Sequence, residues 1–250
     1  MSTNIQRNEY VQAFERGLAV ISCFDGSSLT LSEVAQRVDM SPAAARRYLS
    51  TLTELGFFSQ RNGKFSAQAK LLELSNPYFA ANDFMASAQP VLHTLARHLD
   101  ETTSLTQLMG HEVVNVMAVQ APHELSINVV QGHRLPAYCT AMGRAMLSLR
   151  PEAEVRELLE TLDLQRLTAH TLTRVEEIAE QIELARTRGY AFVEEEQSLG
   201  IRTMSMAFRT PQGRIAAFSA PTPTARESRD SYLRRIEEPL RKAVAQIESH

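Results

Sequence analysis

No stretch of this chain approaches the roughly 18 consecutive apolar residues that a membrane-spanning helix needs, so no membrane partner is expected. Cysteine is scarce: Cys23 and Cys139 lie far apart, with no CxxC or Cys/His spacing around them. A disulfide scaffold and a structural zinc are set aside on that ground, and neither metal nor cofactor is expected. The motifs of common active sites are missing too. No GxSxG, HExxH or GxxxxGK-S/T occurs, hence no nucleophile elbow, zinc-binding helix or phosphate loop. Charge of one sign is also lacking. The net is −3, which argues against a generally basic coat for nucleic acid. The polar opening MSTNIQRNEYVQ carries no signal-peptide core, and the expected location is the cytoplasm.

What is present starts as a series of helix signals. Residues 1–75 carry eight Lys/Arg against seven Asp/Glu, a slightly basic head on an acidic body. VQAFERGLAVISCF places Val11, Phe14, Leu18 and Ile21 on one helical face, with Gly26 past its end. In TLSEVAQRVDM, Thr30 and Glu33 have the spacing of a capping box, ahead of an apolar stripe at Leu31, Val34, Ala35 and Val38. SPAAARRYLSTLTELG opens on Ser41 as N-cap and Pro42 at the first helical position, where its missing N–H costs nothing. Leu49, Leu52 and Leu55 are expected inward, and Gly56 ends the helix. GFFSQRNGKFSA gives two short extended runs joined at Asn62-Gly63, a strong hairpin signal. Helix, capped helix, tight turn, capped helix and hairpin together predict a winged helix-turn-helix over residues 1–75.

Pro77 in SNPY breaks the helical pattern and marks a boundary. Residues 76–100 are then expected as a linker helix region and 101–250 as an effector-binding and oligomerisation domain. There, TSLTQLM and EVVNVMAVQA read as strands joined at Gly110, and LSINVVQ as a third. Helical patterns follow at 141–149, 151–162 and 175–188, then strands at GYAFVEEE, RTMSMAFRT and RIAAFSAP. A last helix is expected to be interrupted by Pro239. Antiparallel strands with helices on one face give an α+β, sensor-like class.

A recognition helix enters the major groove with its N-terminal residues against base edges. Here those residues are Pro42, Ala43, Ala44, Arg46 and Arg47, with Tyr48 nearby. Three alanines keep the helix slim enough to meet thymine methyls. Thr30 and Ser41 sit where helix N-termini favour phosphate, and Arg61 and Lys64 lie on the wing. An enzyme with a DNA-binding head is the rival reading. Cys139 and His133 raise it, yet a Cys nucleophile needs a base partner that sequence proximity does not supply. The run Glu194-Glu195-Glu196 reads as a solvated strand end. In GHRLPAYCTAMGRAMLS a helix start after Thr140 offers N–H groups to a carboxylate. Arg134, Arg144 and Arg202 are candidates to pair with an acidic ligand, and Thr203, Ser205 and Ser219 are candidate hydroxyl donors.

These residues resemble the IclR-type transcriptional regulators from end to end. The likeness rests on RGLAVISCF, LTLSEVAQRVDMSPAAARRYLSTLTELGFF, RLPAYCTAMGRAML, RTRGYAF, EEEQSLGIRTMSMAF and GRIAAFS. GHRLPAYCTAMGR is most similar to the subgroup that controls aromatic catabolism, the protocatechuate, β-ketoadipate and 4-hydroxybenzoate regulators. The resemblance implies a winged-helix head, a linker helix and a GAF-like effector domain. It also implies a homodimer or dimer of dimers on a palindromic double-stranded DNA operator, controlled by a small organic acid. By position it places effector contacts around Thr140, Ala141, Met142 and Gly143, and at Thr203 and Ser219; Tyr138 is a further candidate beside them. Val193 stands where some small-keto-acid sensors have Asp, and Pro221 where they have Ser. TMSMAF is methionine-rich where small residues are common, which predicts a more apolar, adaptable pocket. An orphan repressor whose pocket is filled by its own side chains is the remaining alternative.

Overall fold

The computed structural model describes residues 10–82, 84–123, 126–210 and 212–249. They divide after Asn82 into two compact units. The first unit contains α1 (Gln12–Ser22), β1 (Leu29–Thr30), α2 (Leu31–Arg37), α3 (Pro42–Glu54), β2 (Phe58–Arg61) and β3 (Lys64–Ala67). A 3-10 helix at Ala69–Leu74 and α4 (Asn76–Ala80) follow, and Pro77 sits in the first turn of α4.

Local chemistry sets these boundaries. Both oxygens of the capping box engage: the Thr30 hydroxyl accepts the Glu33 N–H, and the Glu33 carboxylate accepts the Thr30 N–H at 2.7 Å. The Ser41 hydroxyl accepts the Ala44 N–H at 3.3 Å and starts α3. Asn62 and Gly63 take positive φ of 50° and 76°, the turn that matches strand twist, and close the β2–β3 hairpin. Val20, Val34, Ala45, Leu49, Phe58 and Phe65 pack into one core. The stripe on α1 behaves differently. Val11 and Phe14 are 65% and 68% exposed and Leu18 is 45% exposed, while Val20 is fully buried. Gly17, without a side chain, lies against the Tyr48 ring, so α1 docks by that edge. Leu55, expected inward, is exposed at the end of α3.

The second unit is one antiparallel sheet in the order β6-β5-β4-β9-β8-β7. Its strands are β4 (Thr103–Met109), β5 (Glu112–Val119), β6 (Arg134–Pro136), β7 (Ala191–Glu194), β8 (Ile201–Arg209) and β9 (Ile215–Pro223). Its helices are α5 (Phe84–Leu99), α6 (Ala141–Leu147), α7 (Glu152–Glu160), α8 (Val175–Arg188) and α9 (Arg229–Glu248). The α+β class holds, with a correction to the layers. Helices cover both faces: α6 packs across β7, β8 and β9 on one side, and α5 and α9 pack on the other. The Tyr232 hydroxyl of α9 reaches the Met204 N–H and the Ala220 carbonyl at 2.6 Å each. The expected linker helix α5 is therefore part of the larger unit. Two further expectations change. Pro239 lies inside a continuous α9. LSINVVQ forms no strand over its described residues 126–131, and Leu125 lies outside the described set.

Candidate functional site

In the first unit, α3 presents Pro42, Ala43, Arg46 and Arg47 to solvent from its capped N-terminus. Among the described residues, neither guanidinium has an ion pair or hydrogen bond, so both charges are unspent. Arg61 and Lys64 face each other across the wing, also exposed. Three sequence expectations need correction. Ala45 is buried in the core and Ala44 half-buried, leaving Ala43 as the exposed alanine. Tyr48 is half-buried and packs on α1, where it positions α3. Thr30 is a poor phosphate seat, because its hydroxyl and N–H both bind the Glu33 carboxylate. That network holds the Glu33 carboxyl below its ordinary range, and a fixed negative charge there repels phosphate.

In the second unit, alternation along the strands sorts the side chains. Ser205, Ser219 and Ser104 stand in one row across β8, β9 and β4. The Ser104 and Ser219 hydroxyls are 2.7 Å apart, while Ser205 donates to the Phe218 carbonyl and is fully buried. On the α6 side of this row lies a cavity of about 230 Å³. Ser104, Asn115, His133, Thr203 and Ser219 supply its polar wall, and Leu135, Met142 and Ile201 its apolar one. The segment Ile127 to Val130 closes one side. A recess of about 40 Å³ beside it adds Thr140, Ala141 and Val193.

Position by position, the cavity gathers Met142, Thr203 and Ser219 of the expected set, and its recess Thr140, Ala141 and Val193. Gly143 is a close-approach residue: a Cβ there would lie 2.1 Å from the Ala137 carbonyl oxygen, so only glycine lets α6 press onto that backbone. The Thr140 hydroxyl accepts the Gly143 N–H at 3.2 Å and donates to Pro136 O. With α6 only seven residues long and one amide already capped, the expected anion seat at its start is correspondingly weak. Tyr138 points away, its hydroxyl on the Gln165 carbonyl at 2.6 Å.

The arginines are the main correction. Arg144 is fully buried and forked onto Glu196 through two contacts of 2.6 Å, with its Nε on the Tyr138 carbonyl. Arg202 projects from the opposite face of β8, paired with Glu194 and lying over the Tyr232 ring. Arg134 is exposed on the edge strand and paired with Glu112. No lysine or arginine is among the described residues lining the cavity. Glu194 and Glu196 are thus ion-pair partners rather than a solvated strand end. Met204 and Met206 leave the cavity by the same alternation: Met204 faces α9, and only Met142 lines the space. Cys139 is fully buried, and burial pushes its thiol up to about 11, which leaves almost no thiolate at neutral pH.

Ser104 and Asn115 were missed by the sequence reading, and His133, weighed there only as a base for Cys139, lines the cavity instead. Short polar residues within strands carry no sequence signal until register shows which face they share. Two larger hollows lie elsewhere in this unit. One of about 430 Å³ is lined by Arg144, Glu196, Glu194 and Arg229, already in ion pairs, and by Arg188; one of about 420 Å³ lies between α5 and α9.

A winged helix with unspent arginines at its recognition end, joined in one chain to a sheet-built small-molecule cavity, defines a ligand-sensing DNA-binding regulator. The comparisons give the same class. Residues 77–249 match the bacterial transcriptional regulator IclR C-terminal family and residues 13–61 the IclR helix-turn-helix domain; the chain belongs to the IclR family of transcriptional regulators. It is similar to the Pca regulon regulatory protein of Pseudomonas putida, 30% identical over 91% of this chain and 80% of that one. The p-hydroxybenzoate hydroxylase transcriptional activator of Acinetobacter baylyi is 31% identical over 90% and 86%. Among solved structures, a transcriptional regulator from Rhodococcus sp. RHA1 superposes with a TM-score of 0.84, 37% identity and coverage of 96% and 98%.

Proposed function

We infer that this regulator answers to a small organic acid of aromatic catabolism and binds a palindromic operator as a homodimer or dimer of dimers in the cytoplasm, without turning its ligand over. The cavity carries this reading. Its hydroxyl and amide groups converge from β4, β5, β8 and β9 against an apolar wall, the composition of a small-molecule site. The acid is held by neutral hydrogen-bond donors, since the arginines are committed to protein carboxylates. The names of the two curated relatives supply the aromatic class. The bare apolar stripe of Val11, at the N-cap of α1, with Phe14 and Leu18 on that helix supports association through the head. The buried, protonated Cys139 argues against covalent catalysis.

Ligand control follows from linkage: an acid shifts the operator equilibrium only by its differential affinity for the two states. A thermal-shift screen with protocatechuate, 4-hydroxybenzoate and β-ketoadipate tests the reading. An acid at a hundred times its Kd stabilises the folded protein by about 2.7 kcal/mol, a rise of roughly 5 to 10 °C. No shift with any of them points to the orphan repressor instead, and product in the same mixtures points to an enzyme.

A further inference from the structure

Asn115 is 3% exposed, lines the cavity, and its carboxamide oxygen has no hydrogen-bond partner. Burying an unpartnered polar atom costs stability, and folded proteins rarely tolerate it without a reason. Of the neighbouring hydroxyls, Ser104 and Ser219 bond to each other, and Thr106 donates to the Ala217 carbonyl. The backbone of Asn115 is also satisfied, its N–H on His133 O at 3.1 Å and its C=O on the Gly132 N–H at 2.7 Å. The side-chain oxygen is the buried atom of Asn115 that lacks a partner.

The strand is also built to hold it there. Thr106 pairs with Asn115 and Leu105 with Met117, so Val116 is an extra residue in β5. Such a bulge re-aims a neighbouring side chain. Val113 and Asn115 are consequently on the α6 side of the sheet, Val113 in the α6 core and Asn115 at the cavity.

We propose that Asn115 is the specificity-determining residue of the effector site, and that it selects an acid bearing a hydroxyl donor over the same acid without one. The orphan oxygen accepts the ligand hydroxyl. The Ser104–Ser219 bond uses one of those two hydroxyl protons; the other, together with the Thr203 hydroxyl, is left for the carboxylate. A site that hydrogen-bonds a ligand hydroxyl rejects the deoxy analogue strongly, because its own buried acceptor is then left unpaired. This inference rests on the acid-sensor reading above and adds a ligand group and a residue to it.

The test measures Kd by calorimetry on the full-length protein with two pairs, 4-hydroxybenzoate against benzoate and 3-hydroxyadipate against adipate, and with 4-methoxybenzoate, which keeps the oxygen and loses the donor. In the wild type the hydroxylated member binds roughly tenfold or more tighter than its partner, and the methoxy acid ranks with benzoate. Asn115→Leu levels the difference. Without ligand, Asn115→Leu also raises the unfolding midpoint by about 2 to 4 °C, since an orphan polar group is replaced by an apolar one of similar size. Asn115→Ala carries the binding comparison if the leucine variant does not fold. Acid binding without hydroxyl discrimination, or discrimination that survives both substitutions, overturns the role of Asn115 and leaves the sensor reading standing. A lowered midpoint in Asn115→Leu means the carboxamide holds the fold and also overturns it. Binding of no acid at all removes the sensor reading and this inference together.

Discussion

Arg144 shows how little a residue type says about its role until its partners are known. Placed after Thr140 in a polar stretch, it reads as an anion binder, yet in the fold it closes a buried fork with Glu196. The same carboxylate accepts the Leu172 N–H at 3.1 Å, so the pair ties α6 to the segment ahead of α8. Removing one member of a buried pair strands the other charge, and Arg144→Ala is expected to cost about 3 to 5 kcal/mol in urea unfolding. A ligand role would instead give normal stability with weakened acid binding. Glu33 makes the opposite kind of contribution, at the surface. Its folded pKa is depressed below the ordinary 4.5 by the Thr30 N–H and hydroxyl. The stabilisation it gives is therefore present above pH 4.5 and lost as pH falls through the lower folded value. Glu33→Ala should lower the melting temperature at pH 7, and the difference from wild type should shrink as pH falls below 4.5.

Among the elements, α3 and α6 illustrate two uses of a capped helix start. On α3, Ser41 and Pro42 set the start and leave Arg46 and Arg47 exposed within the first two turns. Arg46→Ala should weaken operator binding by about 1 to 3 kcal/mol while the acid-induced thermal shift persists. Unchanged operator affinity would take α3 out of the groove. Arg61→Ala or Lys64→Ala on the wing should weaken binding to all sequences alike and lower the salt slope by about one. On α6, Thr140 and Gly143 serve packing. Gly143→Ala pushes a methyl into the Ala137 backbone, and a stability loss of about 1 to 3 kcal/mol or more is expected from chemical denaturation.

At the scale of the whole molecule, an apolar stripe is uncovered among the described residues: Val11 at the N-cap of α1, and Phe14 and Leu18 on it. If a second copy covers it, Phe14→Glu together with Leu18→Glu yields a slower-associating or monomeric species by sedimentation and weaker binding to a two-half-site operator. An unchanged sedimentation coefficient would assign the stripe another use. The same stripe marks the limit of pattern reading. Its period announced α1 correctly, but period says only that a face is apolar, not what covers it. The winged helix was legible because its signals are local: a capping box, a proline at a helix start, an Asn-Gly turn. Five of the six sheet strands were legible by alternation; β6 (Arg134–Pro136) was not expected, and LSINVVQ, expected as a strand, supplies the wall of a cavity instead.

By itself, then, the sequence determined what depends on neighbours within a few residues: the caps, the hairpin, the order of elements, the absence of catalytic motifs, and the family to which their succession points. Tertiary structure alone decided what depends on register and pairing across the chain. Whether an arginine is free or already spent, which methionines face the cavity, and that Asn115 stands beside Ser104 and Ser219 all follow from strands far apart in sequence. The physical reason is one of range. Backbone hydrogen bonding at caps and turns acts over three or four residues, whereas the face a strand residue presents flips with each single step of register. The chemistry of a cavity built from four strands is set only when all of them are in place.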